Sequence, residues 1–92
     1  MRPSKKMQTQ LEDLLKAMGY RVRYEKGNFK SGYCLVEHQQ MAVVNKFHPI
    51  ETRVSALVDI ALQIAGANGT ENLDEEHQQF LEALKKKYAD LQ

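Results

Sequence analysis

The chain has 92 residues and a mass of 10.6 kDa, which fits one small domain, residues 1–92, with 1–4 expected to be flexible. Hydrophobic residues at 42% and charged residues at 27% exclude a disordered chain, and thirteen Lys and Arg against twelve Asp and Glu leave a net charge of +1, too little to draw the whole molecule onto nucleic acid or membrane. A single cysteine, Cys34, excludes an internal disulfide framework and a four-cysteine zinc site.

No apolar run approaches the roughly 20 residues that span a bilayer, and the basic start at Arg2, Lys5 and Lys6 has no apolar stretch behind it of the kind a secretory signal carries. A cytoplasmic protein without membrane contact is expected.

The first periodic segment is Met7, Leu11, Leu14, Leu15 and Met18, five residues on one helical face. This predicts a helix over 5–18. Ser4 or Thr9 caps it, the latter through a capping box with Glu12, and Gly19 supplies the left-handed turn that ends it. The period then changes to two. Tyr20, Val22 and Tyr24 alternate with Arg21, Arg23 and Glu25, a strand with one dry and one wet face.

A turn-rich link, residues 26–32, leads to two short apolar runs, Tyr33-Cys34-Leu35-Val36 and Met41-Ala42-Val43-Val44. Only Glu37-His38-Gln39-Gln40 separates them, so a β-hairpin is predicted. Neither run alternates, which implies that both faces of the hairpin are covered. Cys34, inside such a run, reads as a small core residue rather than a nucleophile.

Pro49 suits the start of the next helix, whose broad stripe of Ile50, Val54, Leu57, Val58, Ala61, Leu62 and Ile64 marks it as the buried one. Gly66 to Thr70 is expected to stop it and form a loop. The last helix opens with Asn72 as cap, carries Asp74, Glu75 and Glu76 at its start, and ends on Lys85, Lys86 and Lys87, in keeping with the helix dipole. His77, Leu81, Leu84, Tyr88 and Leu91 form a narrow apolar seam along it, which suits packing on its own domain or on a partner, the former favoured by a length of less than three heptads. The fold class is therefore α+β in the order α-β-β-β-α-α, a three-stranded antiparallel meander packed with helices.

The chemistry-bearing residues do not converge. Cys34, His38, His48 and His77 show neither H-E-x-x-H nor C-x-x-C spacing, so no metal is expected. Glu12 and Asp13 diverge on a helix, and Gly27 and Gly32 are followed by no phosphate-binding Lys-Ser or Lys-Thr. No catalytic residue and no cofactor are predicted, and the chain is read as non-enzymatic. An enzyme with a site in the loop at 26–32 has no specific motif behind it.

Charge is uneven along the chain. Arg21, Arg23, Lys26, Lys30, Lys46 and Arg53 outnumber Glu25, Glu37 and Glu51 between residues 19 and 53, whereas acidic residues dominate beyond residue 70. Basic side chains interleaved with aromatics suit weak binding of single-stranded nucleic acid, with Arg21, Arg23, Lys26, Phe29 and Lys30 as candidate contacts. The alternation works against this reading, because Tyr20 and Tyr24 point away from Arg21 and Arg23.

Assembly gives the sharper expectation. If sheet order follows chain order, the strand at Met41–Val44 is an uncharged, proline-free edge, the kind that templates association. Either that strand is central, with Tyr20–Glu25 on its far side, or a second copy seals it. Self-association as a homodimer, or contact with another protein, is the leading functional expectation, with Met41 and Val43 of the strand and Leu81, Leu84 and Tyr88 of the last helix as candidate contacts.

The run from Gly19 to Phe29, Gly-Tyr-Arg-Val-Arg-Tyr-Glu-Lys-Gly-Asn-Phe, continues through Gly32-Tyr33-Cys34 and Val43-Val44-Asn45-Lys46-Phe47. This wording resembles a family of small bacterial proteins in which the strand motif precedes a hydrophobic helix. The resemblance spans about residues 10–65 and implies a bacterial cytoplasmic protein, with no established activity to carry over. The strand, the proline-containing link and the following helix are also faintly similar to zinc peptidases that cleave phage-type repressors. There the helix bears H-E-x-x-H; here it reads Leu57-Val58-Asp59-Ile60-Ala61, without the histidines or the glutamate, so zinc hydrolysis is not expected.

Overall fold

The computed structural model describes residues 3–36 and 38–88. The first two residues of the expected flexible start, and Leu91 of the expected seam, lie outside the described residues. Three helices and three strands follow one another as α1 (Lys5–Ala17), β1 (Arg21–Glu25), β2 (Gly32–Val36), β3 (Gln39–Asn45), α2 (Ile50–Asn68) and α3 (Glu75–Lys87), an α+β chain.

Each helix end has a local cause. Ser4 caps α1, its hydroxyl accepting from the Met7 N–H at 3.1 Å, while Thr9 sits inside the helix and donates to the Lys5 carbonyl. At the other end Gly19 takes φ 90°. Its N–H donates to the Lys16 carbonyl and the Tyr20 N–H to that of Leu15, a Schellman closure that aims the chain into β1.

α2 runs past Gly66, where a stop was expected, and ends at Gly69 with φ 78°. Gly66 is exposed and its neighbours Ile64 and Ala65 are buried, so packing on that flank outweighs the roughly 1 kcal/mol that glycine costs a helix. Asp74, not Asn72, caps α3 by accepting from the His77 N–H at 2.9 Å. Buried Leu73 fixes the loop before it, and Gln78 donates back to the Thr70 and Leu73 carbonyls.

The sheet corrects the expected meander. Its order is β1-β3-β2, with β2 and β3 antiparallel and β1 parallel to β3. The strand that chain order placed at the edge is therefore central, the other alternative open to the sequence. The physical reason is the length of the link between β1 and β2. Six residues are ample to cross the end of one strand, about 10 Å from first to third neighbour, so β3 slides between its two predecessors. The uncharged strand thereby has partners on both edges.

Asn45, buried at the end of β3, holds the crossing link in place. Its side-chain amide donates to the carbonyls of Gly27 at 2.9 Å and Phe29 at 2.7 Å, and its Oδ1 accepts from the Phe47 N–H. Its own N–H donates to the Ser31 hydroxyl at 2.9 Å.

Among the described residues the helices cover one face of the sheet. Ala42 and Val44 of β3, with Val22 and Tyr24 beside them in register, pack into a core shared with Leu11, Leu14 and Leu15 of α1 and Leu57, Val58 and Ala61 of α2. The opposite face carries Arg21, Arg23, Cys34, Met41 and Val43, and no helix lies on it among the described residues. Met41 is buried there by its central position, with Arg21 and Cys34 at the flanking positions.

Val36 stands opposite Gln39 where β2 meets β3, and His38, just before Gln39, has φ 68°. A side chain in that region costs about 1 kcal/mol that glycine avoids. His38→Gly is therefore expected to raise the unfolding free energy by about 0.5–1 kcal/mol, read from the urea midpoint.

One polar cluster lies between sheet and helix. The Tyr24 hydroxyl donates to Glu12, while the buried Gln8 amide donates to the Tyr24 hydroxyl at 2.9 Å. Burial first, then the hydrogen bond to the Glu12 carboxylate, holds the Tyr24 phenol above its usual range near 10. A raised folded-state value stabilises the fold below the unfolded pKa and loses that contribution as pH climbs beyond it. Unfolding free energy should thus fall above about pH 10, with a shallower fall in Tyr24→Phe, which itself costs about 1–2 kcal/mol at pH 7. Denaturant titrations from pH 8 to 11 on both proteins check this.

Candidate functional site

β2 is the part of the molecule whose surroundings do not satisfy it. Gly32, Tyr33, Cys34, Leu35 and Val36 include no charge and no proline, and among the described residues only β3 pairs with them. Tyr33 is 38% and Leu35 66% exposed, and Cys34 is exposed on the other face. This corrects two expectations: Cys34 is not a core residue, and the hairpin is dry only along β3. Cys34 falls on the uncovered face because it stands opposite Met41, one position out of phase with the core residue Ala42.

The direction of the β2 backbone follows from two hydrogen bonds on its neighbour. The Asn45 N–H points to the β2 side, reaching Ser31, and the Lys46 N–H points to the β1 side, reaching the Glu25 carbonyl at 2.8 Å. Backbone groups alternate sides along a strand, so Met41 and Val43 face β2 and pair with Cys34 and Gly32. Tyr33 and Leu35 consequently turn their N–H and C=O groups outward, along the free edge. Their side chains lie together on the face that the helices cover, where the Tyr33 ring meets Tyr20 edge-on at 5.9 Å.

β1, the other edge, is of a different kind. Arg21, Arg23 and Glu25 alternate along it, Arg21 donates to Gln39 at 3.0 Å and Arg23 pairs with Glu25 at 3.4 Å. Charge is the common protection of an edge strand, and β2 lacks it.

The residues singled out in the sequence distribute unevenly. Arg21 and Arg23 share the uncovered sheet face, whereas Lys26, Phe29 and Lys30 belong to the link that crosses the end of β3, with Phe29 half-buried. Tyr20 and Tyr24 lie on the helix side, away from both arginines. Met41 and Val43 sit in the central strand, whose two edges are both paired, so no second copy can add to β3. Leu81 and Leu84 are 1% and 0% exposed and pack in the chain's own core, with half-buried Tyr88 packed against that core. The described part of the last helix's seam is filled from within.

Sequence reasoning missed Tyr33 and Leu35 as exposed strand positions; the third exposed large apolar side chain among the described residues, Phe47, lies in the connector before α2. The available signal was the run from Gly32 to Val36 itself, as free of charge as Met41–Val44, but nothing in it says which run becomes the edge.

An open groove of about 460 Å³ lies between the crossing link and α2, lined by Lys30, Ser31, His48, Thr52, Ser55 and Asp59. Among the described residues no three of His, Cys, Asp and Glu come close enough to hold a metal ion, and no helix is long and apolar enough to cross a membrane.

No protein-family model matches the sequence, and neither a curated protein nor a solved structure is significantly similar to it.

Proposed function

We propose that this protein works through protein–protein contact, with β2 as the contact strand and strand addition as the mode of recognition. The carrying observation is that β2 is an uncharged, apolar edge with the backbone groups of Tyr33 and Leu35 directed outward. An extended segment laid along it gains main-chain hydrogen bonds from those groups, and side-chain contact with Tyr33 and Leu35 on one face and Cys34 on the other. No catalytic step is part of this reading; the edge supplies binding alone.

The test is selection from a displayed library of random extended peptides against the purified chain. Enriched peptides are expected to carry alternating apolar residues and to lose binding to Leu35→Pro. That change removes the outward N–H of residue 35 and leaves the β3 ladder intact. Leu35→Lys, which keeps the N–H but charges the edge, should weaken binding by about tenfold. Circular dichroism confirms that both variants fold. Peptides that bind both variants as well as the unaltered chain would end the proposal.

A further inference from the structure

Resting on that reading, we infer that the segment laid along β2 is β2 of a second copy, paired antiparallel about a two-fold axis through Cys34. The argument is the symmetry of the strand about its own middle. Cys34 is the third of five residues, and the two large exposed side chains, Tyr33 and Leu35, stand one position to either side of it. An antiparallel pair centred there sets Tyr33 against the partner's Leu35 and Leu35 against the partner's Tyr33, both on the face where these side chains are exposed. All five residues overlap and no charge enters the paired stretch.

The backbone phase agrees independently. Tyr33 and Leu35 are the residues whose N–H and C=O groups point outward, and in this register they are the residues that meet, giving two doubly hydrogen-bonded pairs flanking the axis. Centring on Tyr33 instead would pair Leu35 with the partner's Ser31, and centring on Leu35 would pair Tyr33 with the partner's Glu37. Both alternatives bury less apolar surface and bring a polar or charged residue onto the seam. The two sheets would join into one of six strands in the order β1-β3-β2-β2-β3-β1, with the charged β1 strands as its outer edges. An isologous contact of this kind closes on itself and does not grow into a filament.

Cys34 reports the register without contributing to the affinity. On the axis it meets its own counterpart as a non-hydrogen-bonded pair with Cα atoms about 4.5 Å apart, inside the range of about 4.4–6.8 Å that a disulfide spans. Sedimentation of the full chain under reducing conditions should show a concentration-dependent dimer, retained in Cys34→Ser and weakened by about tenfold or more in Leu35→Pro.

Mild oxidation by copper phenanthroline, which removes two electrons and two protons per thiol pair, should convert the dimer to a covalent one joined at Cys34. In the Cys34→Ser background, Tyr33→Cys mixed with Leu35→Cys should cross-link, and each alone should cross-link far less. A chain that stays monomeric near 1 mM overturns the inference, as does a dimer that Leu35→Pro leaves intact or that cross-links in another register. Should selected peptides still bind β2 in either case, contact through that edge stands and only the second copy is removed.

Discussion

Replacing Asn45 by aspartate is expected to lower the unfolding free energy at pH 7 by about 3–5 kcal/mol, more than the roughly 2–3 kcal/mol expected for Asn45→Ala. Asparagine gives two donors to the Gly27 and Phe29 carbonyls and accepts from the Phe47 N–H with one side chain. Alanine leaves those groups unpaired. Aspartate does worse, since it sets a carboxylate oxygen against two carbonyl oxygens in a buried place. The introduced carboxyl therefore has its pKa raised above the unfolded value near 3.9, and the penalty shrinks as pH falls through that raised value. Urea titrations of N45D at pH 7 and pH 5 should show the variant recovering relative to the unaltered chain on acidification. A loss below about 1 kcal/mol at pH 7 would mean that the crossing link is held by something other than this side chain. The functional consequence is direct, because the link decides on which side of β3 the strand β2 lies.

Leu84→Ala should cost about 2–5 kcal/mol, and Leu81→Ala a similar amount, each removing a side chain enclosed by the core of one chain. The decisive feature is how the loss behaves with concentration. A seam between two copies would make the loss grow with protein concentration by mass action, whereas a cavity within one chain costs the same at about 5 µM and about 200 µM. Lys85→Ala on the exposed face of the same helix, where the ammonium reaches Glu82, is the matched control, expected within about 0.5 kcal/mol of the unaltered chain. Chemical denaturation at both concentrations separates the two cases. The Leu35 variants, by contrast, should alter association and leave the unfolding of the single chain nearly unchanged, since Leu35 stands two-thirds exposed.

Both experiments bear on the same division of surface. α3 turns Leu81 and Leu84 into the core and β3 has both edges paired, so neither stretch singled out for assembly is free, and the uncharged strand left open among the described residues is β2, which the sequence reading had not singled out. An uncharged edge next to a charged one also gives the sheet a direction in which to add a strand: beyond β2 and not beyond β1.

The helices were largely legible. Met7, Leu11, Leu14 and Leu15 lie on the buried face of α1, and the charge-poor stripe from Val54 to Ile64 is the most enclosed part of the chain, because helical periodicity marks burial directly. Caps were read less well. Asn72 and Asp74 are equivalent as residue types, and the choice falls to Asp74 only because Leu73 docks into the core and fixes where the chain can start to coil. Gly66 looked like a stop, yet stopping depends on a positive φ, and that occurs three residues later at Gly69.

Length, patterning and charge thus determined that this is a small α+β chain with a buried helix and two neighbouring uncharged strands. Those properties depend on the identity and spacing of residues along the chain, which local periodicity and chemistry express. Strand order is of another kind. The first strand and the hairpin could be joined in either order by the same six-residue link, and the two arrangements differ in whether β1 pairs antiparallel with β2 or parallel with β3, and so in which uncharged strand ends up at the edge. Tertiary structure made that choice, by the hydrogen bonds that Asn45 makes to a link eighteen and sixteen residues earlier, and so placed Tyr33 and Leu35 at the free edge of the sheet.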